Sequence, residues 1–354
     1  MIKLISPKDN AVLSLTTKTQ KKHLEREYSG KNDSGRGITE WVKPITDTYS
    51  AYAPASVYFK WKQEGEPVPM SLELSFCRCF CEPCPKSAAT VGNIVYDAAE
   101  DVYVVRVDNL MMGKEYFWRI NDGSPDMPVH SFATKREAVR AISCPIHNVR
   151  DVGGRLTRDG KHVKQGMVYR GPQLEIDDDK LPGVMNEEAR RIFRDNLGIK
   201  TEIELREERV HIKESTISKD VNFVTVPFYA YGGVYSPIMK DRLHKLFDIF
   251  ADESNYPIYF HCAAGADRTG TVAILLEAIL GETDENIVMD YNFTALSLEQ
   301  RNWNDSGDME GFLSYMNEEF VAENLREQLM RIIRERIEIK EETIEKIRSI
   351  LLEE

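Results

Sequence analysis

Ten consecutive residues in this 354-residue chain have the types and spacing that phosphate-ester chemistry needs: His261-Cys262-Ala263-Ala264-Gly265-Ala266-Asp267-Arg268-Thr269-Gly270. A cysteine attacks phosphorus as its thiolate, and a free thiol, with a pKa of about 8.5, is mostly protonated at neutral pH. Placing it directly before a helix lowers that value, because a helix N-terminus presents unpaired N–H groups and partial positive charge. The same groups bind a phosphate dianion. The small side chains of Ala263, Ala264, Gly265 and Ala266 let the backbone curl around an anion with its amides inward. Arg268 supplies a planar fork for two phosphate oxygens. Thr269 is spaced to donate a hydroxyl hydrogen bond to the sulfur, Gly270 continues the turn, and His261 orients the loop from below. The leaving group needs an acid within hydrogen-bond reach. Asp267, inside the loop, ranks first for that role, followed by Glu204, Asp151 and Asp241. The competing view of Cys262 as a buried, inert thiol is disfavoured by the string as a whole.

These residues need a strand to deliver them and a helix to follow. Residues 257–261 predict a short apolar strand ending at Cys262, and 269–280 a strongly apolar helix closed by Gly281. Around them, strands are expected at 166–170, 199–205 and 221–228, and helices at 186–196, 237–250 and from 284 onward. Alternating strands and helices indicate an α/β domain, a central sheet flanked by helices, over 136–354. Before it, short runs rich in β-branched and aromatic residues at 56–61, 71–76, 102–107, 116–120 and 129–134 read as an all-β sandwich over 1–135. The polar stretch 18–50 reads as an insertion between strands, and 135–146 as a connector.

The ten-residue string resembles the phosphate loop of the protein tyrosine phosphatase superfamily, which is defined by a cysteine, five residues, an arginine and a serine or threonine. A second segment narrows this. Asn148-Val149-Arg150-Asp151-Val152-Gly153-Gly154 is similar to the Asn-x-Arg-Asp-x-Gly-Gly signature of bacterial tyrosine/lipid phosphatases. The likeness continues through 166–171, 197–201, Glu204-Leu205-Arg206 and Asp290-Tyr291, and covers 145–354. It implies hydrolysis of phosphate monoesters, protein phosphotyrosine first, through a cysteinyl-phosphate, with phosphoinositides or inositol phosphates as the alternative substrates. No metal or other cofactor is implied. Arg150 and Asp151 would hold the phosphate loop, act directly, or both; Arg206 is structural. Two positions depart from the family. It usually has Lys where this chain has Ala266, which weakens the case for lipid substrates. It tends to have Asp where this chain has Glu204. The β runs before residue 135 resemble a fibronectin type III-like sandwich, a surface for a partner or glycan or a rim for the site.

Composition narrows the function classes. The formal net charge is −12, with 42% hydrophobic and 29% charged residues. No basic patch suggests a nucleic-acid partner, so the expected partner is a phosphorylated protein or a small phosphorylated substrate. A non-catalytic phospho-binding module is the rival, and Cys262, Arg268 and Thr269 together argue against it. No apolar run is long enough to span a bilayer. The first residues lack the apolar core of a signal peptide, so a cytoplasmic location is expected by default, or secretion if a leader was removed. Cys77, Cys79, Cys81 and Cys84 crowd one stretch but lack a second ligand pair at zinc spacing, so packing thiols or a disulfide is preferred to a metal. Tyr229, Tyr231 and Tyr235 either pack or line a cleft, with packing preferred.

Overall fold

The computed structural model describes residues 2–28, 51–65, 68–81, 89–174, 185–207, 213–297 and 307–353. Cys84 lies outside the described residues.

The N-terminal part forms two sheets. One has the order β1 (Ile2–Ser6), β3 (Val57–Gln63), β7 (Val102–Asp108), β5 (Thr90–Val91), with β6 (Val95–Asp97) also on β7. The other runs β2 (Ala11–Leu13), β9 (His130–Thr134), β8 (Glu115–Asn121), β4 (Ser71–Ser75). Alternation explains how they meet. Val57, Phe59 and Trp61 point inward from β3, and Tyr116, Trp118 and Ile120 from β8. Phe59 packs edge-on against Trp118, with ring centroids 4.9 Å apart. This part is not purely β: Lys18–Tyr28, inside the expected insertion, forms helix α1. Cys79 and Cys81 are joined by a disulfide.

The C-terminal part is built on a six-stranded sheet of order β10 (Arg140–Ala141), β11 (Arg150–Asp151), β12 (Val168–Gly171), β15 (Ile258–His261), β13 (Thr201–Glu204), β14 (Asn222–Thr225). The four strands β12, β15, β13 and β14 are parallel. Residues 140–141, expected in a connector, are instead the antiparallel edge of this sheet. Period-two alternation builds a core on each face. Val168, Ile203, Ile258 and Phe260 pack on helices α3 (Pro237–Phe250) and α4 (Asp267–Leu280), while Tyr169 and Tyr259 pack on α2 (Glu187–Arg191). Helix α5 (Asp284–Phe293), α6 (Gly307–Glu319), α7 (Leu325–Arg331) and α8 (Glu341–Leu351) complete the chain. No helix of the described residues is long and apolar enough to cross a membrane.

The two parts are bonded together. Arg140 donates to the carbonyls of Asn109 and Leu110 at 2.6 and 3.1 Å. The Gln165 side-chain amide makes two 2.8 Å bonds to the Met112 backbone. Helix α1 lies on α5, where Leu24 shares a core with Phe293 and Leu296 and the His23 ring meets the Asn292 carbonyl at 3.0 Å.

Candidate active site

Cys262 follows the last residue of the central strand β15, whose neighbours β12 and β13 run parallel on either side. In open α/β sheets the crevice at the carboxyl ends of such strands is where ligands bind. Helix α4 then starts at Asp267, and its N-cap residue, Ala266, has no side-chain group to satisfy the first-turn N–H donors. An anion is the natural partner for those donors.

The loop between strand and helix is tied from outside. The Gln173 N–H donates to the Ala263 carbonyl at 3.1 Å, Asn148 Nδ2 to the Ala264 carbonyl at 3.1 Å, and Arg170 Nη2 to the Gly265 carbonyl at 3.1 Å. A trans peptide points its N–H opposite to its C=O. Anchoring three successive carbonyls outward therefore turns the N–H groups of Ala264, Gly265 and Ala266 toward the loop centre. Gly265 has φ +70°, and a Cβ there would overlap the Gly171 backbone, so only glycine passes this point.

One carboxylate holds the tethers. Asp290 on α5 is fully buried and accepts from Arg150 Nε at 3.0 Å and Arg170 Nη1 at 2.5 Å, with Arg155 Nη1 at 3.3 Å. Arg150 in turn donates to Asn148 Oδ1 at 2.6 Å and Thr294 Oγ1 at 3.0 Å. Arg155 is shared with Glu277 and Glu282, both buried. Buried charges persist only when paired in this way.

A second buried cluster underlies His261. Its Nε2 meets Glu202 Oε1 at 2.8 Å, and Glu204 Oε2 lies 3.9 Å from Nδ1. Burial opposes a charged ring, but Glu204 and Glu202 outweigh it and hold the His261 pKa above the usual imidazole value. Glu204 is also locked to Arg206, accepting Nη2 at 2.6 Å and Nε at 2.9 Å.

The candidate proton donors are placed very differently. Asp267 is the first residue of α4 and partly buried, and its Oδ1 accepts the Tyr231 hydroxyl at 2.6 Å. Tyr231 O–H also meets the Tyr291 hydroxyl at 2.5 Å, and its backbone N–H donates to Thr271 Oγ1 at 2.9 Å. Glu204 is buried in its arginine pair. Asp151 has both oxygens occupied, by Arg140 at 2.6 Å, the Gly153 N–H at 2.8 Å and the Gly166 N–H at 2.7 Å. Asp241 is exposed on α3. Thr269 Oγ1 is buried with no protein hydrogen bond, so the expected bond to the Cys262 sulfur is not made in this structure. The loop tyrosines separate: Tyr231 holds Asp267, Tyr235 packs on Phe312, Tyr315 and Phe320, and Tyr229 is half exposed on Glu207. Among the described residues no cluster of histidine, cysteine or carboxylate side chains could hold a metal.

Sequence reasoning assigned no part to Asn148, Arg170, Glu202, Asp290 or Arg155. One signal was present. Glu202 and Glu204 alternate on a strand of a parallel sheet, where apolar residues are the rule, so their shared face had to meet a buried cation or polar ring.

The buried clusters set a pH dependence. Burial opposes the Asp290 charge, but Arg150, Arg170 and Arg155 outweigh it and hold its pKa well below the usual carboxylate range. Its contribution to stability is in place above the ordinary value of 3.8 and is lost as pH falls below it. Glu282 is the opposite case. Burial raises its pKa from 4.5 to about 7 against the pull of Arg155, so its contribution is full below 4.5 and lost as pH rises through about 7. His261, also raised, loses its contribution in the same direction above 6.5. Urea titrations should show greatest stability near pH ~5, with each limb falling by on the order of 1–3 kcal/mol. Glu282→Gln should flatten the alkaline limb; an unchanged limb would refute the assignment.

Comparison with known proteins gives the family of the C-terminal part. Residues 144–353 match the model of the tyrosine phosphatase family. A protein of Cupriavidus necator, provisionally named tyrosine-protein phosphatase H16_A0669, is 25% identical over 183 residues, 44% of this chain and 62% of the relative. The chain thus spans about three fifths of that curated relative. Among solved structures, the core catalytic domain of the PP-IP phosphatase SIW14 from S. cerevisiae, in complex with citrate, aligns with 47% of this chain and 90% of its own at 19% identity and a TM-score of 0.29. Over the segment that carries the loop, its tethers and their supporting strands, this chain belongs to the tyrosine phosphatase family.

Proposed function

We propose that the chain hydrolyses phosphate monoesters, with protein phosphotyrosine as substrate, through a cysteinyl-phosphate on Cys262. The observation that carries this is the loop whose carbonyls at Ala263, Ala264 and Gly265 are all bonded outward. Inward amides and an uncapped helix start have no other evident use than holding a phosphate. In the first step the thiolate sulfur bonds to phosphorus while the ester P–O bond breaks, and Asp267 passes its proton to the leaving oxygen. Arg268 and the loop amides hold the equatorial oxygens. In the second step water attacks phosphorus, Asp267 takes up the water proton, and the S–P bond breaks to regenerate the thiolate. The buried, unsatisfied Thr269 hydroxyl is available to the departing sulfur. Glu202, His261 and the Asp290 cluster position the loop and touch no substrate.

Ala266 favours phosphotyrosine, because the loop lacks the extra cation that a multiply phosphorylated headgroup would use. A panel of phosphotyrosine, phosphoserine and phosphothreonine peptides, phosphoinositides and soluble inositol phosphates tests the assignment. The expected result is a kcat/KM for the phosphotyrosine peptide at least ~10-fold above every other member, about 1.4 kcal/mol of transition-state preference. A phosphoinositide or inositol phosphate at the head of the panel would overturn the phosphotyrosine assignment and leave the mechanism standing.

A further inference from the structure

Helix α4 has 14 residues, so its carboxyl end lies about 21 Å from the phosphate loop. A cavity of about 460 Å³ opens there, between α4, α7 and α8 and the turn at Lys161. Arg326 Nε donates to the Ala278 carbonyl at 3.1 Å, and Arg348 Nη1 to the Ile279 carbonyl at 2.8 Å. Cations at a helix carboxyl end are ordinary caps. Three facts go beyond capping. The two guanidinia converge: a Cβ on Gly281 would lie within 4 Å of both. Each uses one N–H on its carbonyl, and among the described residues neither has a carboxylate within ion-pair distance. Burial, followed by the like charge of Arg348, holds the Arg326 pKa below its usual value against the opposing pull of Glu327.

The rest of the wall sharpens this. Lys161 is exposed on the cavity rim, and among the described residues no carboxylate lies within ion-pair distance of it, although Asp159 feels its charge. Two acids of the lining are already paired: Glu341 with Arg334, also in the lining, at 2.9 Å, and Glu353 with Lys114, outside it, at 3.1 Å, leaving Glu345 against Lys161, Arg326 and Arg348. The cavity therefore carries an excess of positive charge on a chain whose net charge is −12. Ile279, Met330, Ile344 and Leu352 line it as well and offer apolar contact between the charged points. Its volume lies in the range of small-molecule sites.

We propose that this cavity binds a small phosphorylated metabolite with two separated anionic groups, one on Arg326 and Arg348 and the other on Lys161. The site is distinct from the phosphate loop and does not depend on the phosphatase assignment.

The test uses the full chain with Cys262→Ser and Arg268→Ala, which removes turnover and the principal phosphate clamp. Calorimetric titration with fructose 1,6-bisphosphate, against fructose 6-phosphate and inorganic phosphate as single-anion controls, reads the site directly. One-to-one binding of the bisphosphate is expected, tighter than either control. It should weaken by ~10-fold or more in Arg348→Gln and by ~3–10-fold in Lys161→Ala, and fall with added salt. Lys161 is exposed, so its variant remains informative if Arg348→Gln does not fold. No saturable binding up to about 5 mM bisphosphate would overturn the proposal. So would binding undiminished by Lys161→Ala, or inorganic phosphate binding as tightly as the bisphosphate.

Discussion

Replacing Cys262 with Ser should reduce turnover of an aryl phosphate by about four orders of magnitude or more, the equivalent of ~5.5 kcal/mol of transition-state stabilisation, while leaving the phosphate site intact. The two atoms differ little in placement. The residue is buried at the end of β15, and the loop's shape comes from Asn148, Arg170 and Gln173 acting on backbone carbonyls, not from the sulfur. The loss is therefore chemical: a hydroxyl is not ionised at neutral pH and is a weak nucleophile without an adjacent base. Titration with tungstate should show the variant binding the oxyanion within ~3-fold of the parent. That pairing separates loss of the nucleophile from loss of the fold. Turnover retained at a tenth of the parent rate would sink the cysteinyl-phosphate mechanism. Loss of both turnover and oxyanion binding would mean that the sulfur helps to build the loop.

The placement of Cys262 between a strand and a helix was legible because its signals are local. Small residues before an apolar helix, a short strand ahead of them and a glycine behind the helix can each be recognised from a few neighbours. The strands at 56–61 and 116–120 were readable for the same reason, since period-two alternation is written in the chain itself. Helix α1 was not. It is polar along most of its length and is held by Leu24 on Phe293 and His23 on the Asn292 carbonyl, partners some 270 positions away. The supporting cluster was equally hidden. Asp290, Arg150, Arg155 and Arg170 lie on separate elements, and only the assembled fold brings three arginines to one carboxylate. Asp151 shows the converse. Its motif made it a candidate acid, but its oxygens serve Arg140 and two backbone N–H groups, and Arg140 also holds the carbonyls of the N-terminal part. A sequence motif records that a carboxylate is required, not which neighbours require it.

Among four carboxylates considered as the acid, the structure leaves Asp267 in the loop with a defined partner, and Asp267→Asn should produce a loss that scales with the leaving group. Protonation matters most when the departing oxygen is a poor leaving group. With a tyrosine phenolate or an alkoxide leaving, the variant should lose ~10²–10³-fold in kcat/KM, the range of a single general acid. With p-nitrophenolate, which departs readily unprotonated, the loss should stay below ~10-fold. A uniform loss across leaving groups would instead indicate that Asp267 only shapes the helix start. Tyr231→Phe distinguishes these further. The Tyr231 hydroxyl donates to Asp267 Oδ1 and is itself bonded to Tyr291, so it fixes the carboxyl group's orientation without contacting phosphorus. Its removal should lower the rate on phosphotyrosine by ~3–10-fold, about the worth of one hydrogen bond. It should spare p-nitrophenyl phosphate and have no further effect once Asp267 is already Asn. Independent, multiplicative losses in the double variant would place Tyr231 outside the proton path and return the acid's orientation to the helix alone.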